Sequence, residues 1–175
     1  MGFRVQLLAI NGKSIPDIHN ALSVIPTGTH EEIAESPIVG TQLKNGNYLV
    51  CINDKIIPDP KLLSRLSENA TVICCYANET VMNSLTLRWH DGIEEWSVFH
   101  DAQVTIDDLQ VNGSPPEEFS EIRQRLLGEQ NGCTDTDYVF DGPIKLFVSQ
   151  GGMRYDEDPE STIESGEPWE ILERI

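Results

Sequence analysis

Two dipeptides, Asn45-Gly46 and Asp91-Gly92, constrain this chain more than any other feature, because each stands between runs rich in apolar and β-branched residues. A two-residue type I′ turn needs φ > 0 at both central positions, which Asn, Asp and Gly tolerate and most residues do not. Each dipeptide therefore predicts a β-hairpin. A two-residue turn at Asn45-Gly46 pairs Leu43 with Tyr48, Thr41 with Val50 and Val39 with Ile52. The same arithmetic at Asp91-Gly92 pairs Trp89 with Glu94, Arg88 with Glu95, Leu87 with Trp96 and Leu85 with Val98. Side chains alternate along a strand, so this register puts Leu85, Leu87, Trp96 and Val98 on one face and Thr86, Arg88, Glu95 and Ser97 on the other.

Helices are signalled by caps and by apolar spacing. Ser14 predicts the cap of a short helix in which Ile15, Ile18 and Leu22 recur at helical spacing, and Asp59-Pro60 opens a second with Leu62, Leu63 and Leu66 along one side. Ser114-Pro115-Pro116-Glu117 has the form of a capping box and predicts a third helix to about Glu129, with Phe119, Ile122 and Leu126 inward. Residues 3–10 read as a strand and Thr71–Tyr76 as a buried central one, with residues 26–37 as a loop. Tyr138-Val139-Phe140 fits a short edge strand, residues 143–150 fit a helix or a strand, and Gly151-Gly152 ends that segment. Trp169, Ile171 and Leu172 predict that the chain end docks back onto the body. Hairpins interspersed with three or four helices make an α+β fold with a largely antiparallel sheet. We read residues 1–175 as one domain with a docked acidic segment at 156–175, Asn112-Gly113 being the only candidate split.

Charge is unevenly placed. The chain has 29 acidic and 12 basic residues, a formal net charge of −17. Residues 1–80 hold 8 acids and 6 bases, whereas residues 81–175 hold 21 acids and 6 bases. Neutralising phosphates requires a Lys/Arg surplus, so this balance argues against nucleic acid and anionic membranes as partners. A field of this sign instead steers association with a cationic protein. No apolar run approaches the 18 or so residues of a membrane span. The N-terminal run reads as a strand, with no small-residue cleavage site of a signal peptide.

The search for chemistry nominates little. Cys51, Cys74 and Cys75 fall in apolar strand-like runs, Cys133 stands apart, and no CxxC or His at ligand spacing suggests zinc. Adjacent Cys74 and Cys75 point to opposite faces of a strand and cannot bridge each other, which suits a reducing cytoplasm. There is no phosphate-binding glycine loop, HExxH or GxSxG. The alternation of Asp135, Asp137 and Asp141 lacks the later Glu of a calcium loop, since position 146 is Leu146. His19 and His30 sit in polar surroundings and are expected at the surface. His90-Asp91 and His100-Asp101 offer two His–carboxylate pairs for general base work. The hairpin register puts His100 opposite Asn83, so the two pairs lie too far apart for one site. No cofactor or metal is expected.

The segments Trp96-Ser97-Val98-Phe99-His100-Asp101, Asp137-Tyr138-Val139-Phe140-Asp141-Gly142-Pro143 and Gly152-Met153-Arg154-Tyr155-Asp156 resemble short blocks of a group of small acidic bacterial proteins of unassigned role. The overall profile is similar to that of immunity proteins of bacterial toxin systems, which are small, acidic and without an active site. The resemblance implies a non-enzymatic binding protein, an inhibitor or immunity protein that masks a basic toxin or enzyme. The expected contact is an aromatic or aliphatic anchor inside an acidic rim, with Glu94, Glu95, Asp107, Asp108, Asp156, Glu157 and Asp158 as the acids and Trp89 as an anchor. Two alternatives stand beside it. One is a small-molecule site or enzyme using His90 or His100. The other is a structural or regulatory subunit, with a homodimer that buries the Leu85/Trp96 face.

Overall fold

The computed structural model describes residues 2–54 and 58–175. Nine strands and four helices follow in the order β1 (Arg4–Asn11), α1 (Ile15–Leu22), β2 (Val24–Glu31), β3 (Ile38–Gln42), β4 (Tyr48–Ile52), α2 (Pro60–Leu66), β5 (Thr71–Asn78), β6 (Asn83–His90), β7 (Ile93–Asp101), β8 (Gln110–Gly113), α3 (Glu118–Gln130), α4 (Asp141–Ser149) and β9 (Trp169–Arg174). The strands form one sheet in the order β2-β9-β3-β4-β1-β5-β6-β7-β8. Every neighbouring pair is antiparallel. The fold is therefore α+β, as the hairpin and helix signals predict.

Both faces of the central strands are covered, which explains their nearly unbroken apolar runs. On β1, β4 and β5, the residues Leu7, Ala9, Leu49, Cys51, Ile73 and Cys75 join a core with Ile144 and Phe147 of α4. The alternate residues Leu8, Ile10, Val50, Val72 and Cys74 join a second core with Ile18 of α1 and Leu63 and Leu66 of α2. A third, smaller cluster joins Trp96 and Val98 of β7 to Phe119 of α3 and Leu146 of α4. Cys74 and Cys75 thus face opposite cores, and burial pushes the Cys51 and Cys75 thiols up to about 12 and that of Cys74 higher still.

Two of the three predicted helix caps form. Ser14 Oγ accepts from the Asp17 amide, and Asp59 Oδ1 accepts from the Lys61 amide with Pro60 in the first turn. The chain end docks as β9 between β2 and β3, with Trp169 and Leu172 buried.

Hairpin registers differ from expectation at both turns. At the first, the observed pairs are Gln42 with Tyr48, Thr41 with Leu49 and Val39 with Cys51, one residue away from the predicted set. Asn45 has no positive φ, whereas Gly46 has φ +92°, and the Leu43 amide donates to the Asn47 carbonyl. The loop is therefore three residues long, with the left-handed position taken by Gly46 alone, and the extra residue moves every pair by one. At the second hairpin, Asp91 and Gly92 both have positive φ, and Trp89 pairs with Glu94 as predicted. Beyond that point Glu95 is an extra residue in a β-bulge, so Arg88 opposes Trp96, Leu87 opposes Ser97, Thr86 opposes Val98, and His100 opposes Ser84. The bulge sends Leu85 and Leu87 to the α1/α2 side and Trp96 and Val98 to the α3/α4 side. The Leu85/Trp96 face proposed for a homodimer does not exist. Gly113 lies against this bulge, where a Cβ would run into the Glu95 carbonyl.

Other elements also depart from expectation. Residues 24–31 form edge strand β2, because β9 supplies the hydrogen-bonding partner that the polar local sequence does not advertise. Helix α3 begins only at Glu118, with no side-chain cap from Glu117. A residue before proline is held out of the helical region, so neither Ser114 nor Pro115 can join the first turn. Tyr138 to Phe140 form a turn leading into α4, not a strand, since Gln130 Oε1 accepts from the Tyr138 amide and Asp137 Oδ1 from the Phe140 amide. Residues 143–149 belong to helix α4, which Gln150 caps. His19 is buried, with Nε2 2.8 Å from the Tyr48 hydroxyl, and burial lowers its pKa against the opposing pull of Glu170. His30 is half-buried in β2.

Candidate protein-binding surface

The acids singled out in the sequence fall into three places. Glu94 and Glu95 lie exposed at the β6–β7 hairpin, where Glu95 ion-pairs with Arg88 despite the bulge. Trp89 is half-buried against the α1/α2 core, and its indole Nε1 is buried without a hydrogen-bond partner among the described residues. Asp107 and Asp108 shape the loop between β7 and β8. Asp107 accepts from Thr105 Oγ1, Asp108 Oδ2 accepts from Gln110 Nε2, and the Asp108 carbonyl accepts from His100 Nδ1. Asp156, Glu157 and Asp158 are exposed on the segment between α4 and β9.

The two His–Asp pairs separate as well. His90 is exposed at the turn, with Nε2 3.4 Å from Asp91 and Nδ1 3.0 Å from Thr71 Oγ1. His100 is fully buried and pairs with Asp137, not with neighbouring Asp101. Its Nδ1 lies 2.6 Å from the Asp108 carbonyl and its Nε2 2.8 Å from Asp137 Oδ2. A carbonyl only accepts, so Nδ1 carries a hydrogen, and the ring pins the 105–109 loop to the turn that starts α4. This arrangement holds structure together and offers no access to a substrate. Among the described residues no three His, Cys, Asp or Glu side chains are grouped to hold a metal.

The third place carries more than charge. A depression of about 210 Å³ is lined by Phe3, Ile33, Tyr155 and Trp169, with Val5 and Cys51 beneath and Glu32, Asp156, Glu157 and Asp158 around it. Phe3 and Ile33 are 51% and 64% exposed, unusual for large apolar residues that line one hollow. The aromatic wall is built in advance. Glu79 Oε1 accepts from the Tyr155 hydroxyl at 2.7 Å, and its Oε2 accepts from the Phe3 amide at 2.9 Å. The two rings stand 5.2 Å apart, tilted by 55°. Burial and the Glu79 carboxylate push the Tyr155 hydroxyl pKa far up, so it stays a donor.

The four carboxylates are not equivalent. Asp156 is held by Arg154, which also reaches Asp141, so its charge is largely answered within the chain. Glu32, Glu157 and Asp158 make no ion pair among the described residues. Sequence reasoning found the 156–158 acids but missed Phe3, Ile33, Tyr155 and Glu32. One signal was present: Ile33 is a lone apolar residue set among Glu31, Glu32 and Glu35.

Comparison with protein-family models, with curated proteins and with solved structures finds no match to this chain. No helix among the described residues is long and apolar enough to cross a membrane.

Proposed function

We propose that this protein is a non-enzymatic intracellular binding protein of the inhibitor or immunity type, which masks a basic protein partner. The observation that carries this reading is the apolar depression of Phe3, Ile33 and Tyr155, lined also by the carboxylates Glu32, Glu157 and Asp158, which make no ion pair among the described residues. An apolar anchor desolvated inside a charged rim is the usual anatomy of an interface hot spot. The excess of acid in residues 81–175 adds a long-range field that raises the encounter rate with a cation. Four free cysteines, three of them buried, support a reducing cytoplasm.

The test is capture from the native host at low and high salt, comparing the wild type with Glu32→Gln/Glu157→Gln/Asp158→Asn. A basic partner is expected, retained at low salt, weakened by salt and by the triple variant, and inhibited in its own activity by the added protein. Equal retention by the triple variant, or a partner without basic character, refutes the reading.

A further inference from the structure

A second depression shares two of these acids. It also measures about 210 Å³ and is lined by Leu43, Val148 and Met153 together with Asn45, Glu157, Asp158 and Glu160. Glu157 and Asp158 are thus the wall common to both hollows. Leu43 and Met153 belong to the core, and Val148, 39% exposed, stands open on the last turn of α4. Neither Glu157, Asp158 nor Glu160 is held in an ion pair among the described residues.

Two hollows, one mainly apolar and one of mixed lining with Val148 open to it, share carboxylates that make no ion pair among the described residues, and such a surface has a specific complement. We infer that the partner meets this surface with one extended cationic segment carrying two apolar side chains, one for each hollow, and Lys or Arg between them over Glu157 and Asp158. This rests on the proposed masking of a basic partner and specifies how that partner is recognised. An extended chain suits the surface because alternate side chains share one face, so a cation and the apolar residues two positions before and after it all point at the surface. Long cationic side chains also lay apolar stems along the walls while their charge reaches the carboxylates. The shared acids supply charge and the hollows supply selectivity, since the loss of either apolar contact leaves a hollow unfilled.

Fluorescein-labelled peptides of Lys and Ser, carrying two leucines at graded separations, test this by anisotropy against the full chain. One separation is expected to bind best. Ile33→Ser and Val148→Ser, both at exposed positions, are each expected to weaken that peptide about tenfold. Replacing one leucine by serine should remove sensitivity to one of the two variants and leave sensitivity to the other. Thermal melts of each variant confirm that the fold is intact. Binding that depends on Glu157→Gln/Asp158→Asn but on neither apolar variant overturns the two-hollow inference and leaves the electrostatic reading standing. Binding indifferent to the neutralised acids overturns both.

Discussion

Replacing Asp137 by Ala should destabilise this protein more than any neutralisation on its surface. The carboxylate is buried and has two partners: Oδ2 lies 2.8 Å from His100 Nε2, and Oδ1 accepts from the Phe140 amide at 3.0 Å. His100 itself is 0% exposed, so neither group left behind can turn to water. Orphaning a buried donor or acceptor costs about 1–3 kcal/mol, and Asp137→Ala orphans two, the His100 ring nitrogen and the Phe140 amide. A central value of about 4 kcal/mol follows. For a chain of this size each kcal/mol moves Tm by about 2–4 °C, so Asp137→Ala should melt about 8–16 °C lower. Asp137→Asn is the informative control. Its amide oxygen can still accept from the Phe140 amide and its amide group can still hydrogen-bond His100 Nε2, so neither is orphaned and the loss should be about 1 kcal/mol. Urea unfolding measures both, with the midpoint shifting and the slope unchanged. An Ala variant that loses under about 1 kcal/mol, or Asn and Ala variants that lose equally, would refute the pinning role of this pair.

Two further outcomes test the sheet and its helices. Burial holds His19 below the ordinary 6.5, so the unfolded chain takes up a proton there at a pH where the folded chain does not. Its contribution to stability is full above pH 6.5 and is lost as pH falls towards the folded value; urea midpoints at pH 7.5 and 5.5 should differ less in His19→Gln than in the wild type. A Cβ at Gly40 would overlap the Tyr48 hydroxyl, so Gly40→Ala should cost about 1–3 kcal/mol by denaturant unfolding. The same substitution made in a Tyr48→Leu background should cost less, and equal losses in both backgrounds would dismiss the ring-over-glycine contact.

The candidate surface is partly legible in the chain. The acids at 156–158 stood out by density, but nothing local marked Asp156 as spoken for by Arg154, or Phe3 and Tyr155 as a pair clamped by Glu79. Phe3 and Tyr155 are separated by most of the chain and meet because β1 and β5 are adjacent while the 150–158 segment returns over their ends. The likeness of His90-Asp91 to His100-Asp101 pointed at neighbours in sequence, whereas His100 found its carboxylate in Asp137, beyond two elements.

Local signals determined what depends on contacts a few residues apart. The caps at Ser14 and Asp59, the places of the turns at Asn45-Gly46 and Asp91-Gly92, and the double-faced strand read at Thr71–Tyr76 all belong to this class. The tertiary structure decided register, strand order and partnership. A bulge at Glu95 leaves no mark in an alternating pattern, yet it moves Trp96 and Val98 to the opposite core from Leu85 and Leu87. The place of β9 between β2 and β3 turns a polar stretch into an edge strand and brings the acidic return segment to the apolar hollow by Phe3. The physical reason is the same in each case: a cap or a turn satisfies its own hydrogen bonds locally, whereas a ladder or a hollow exists only when distant segments supply the other half.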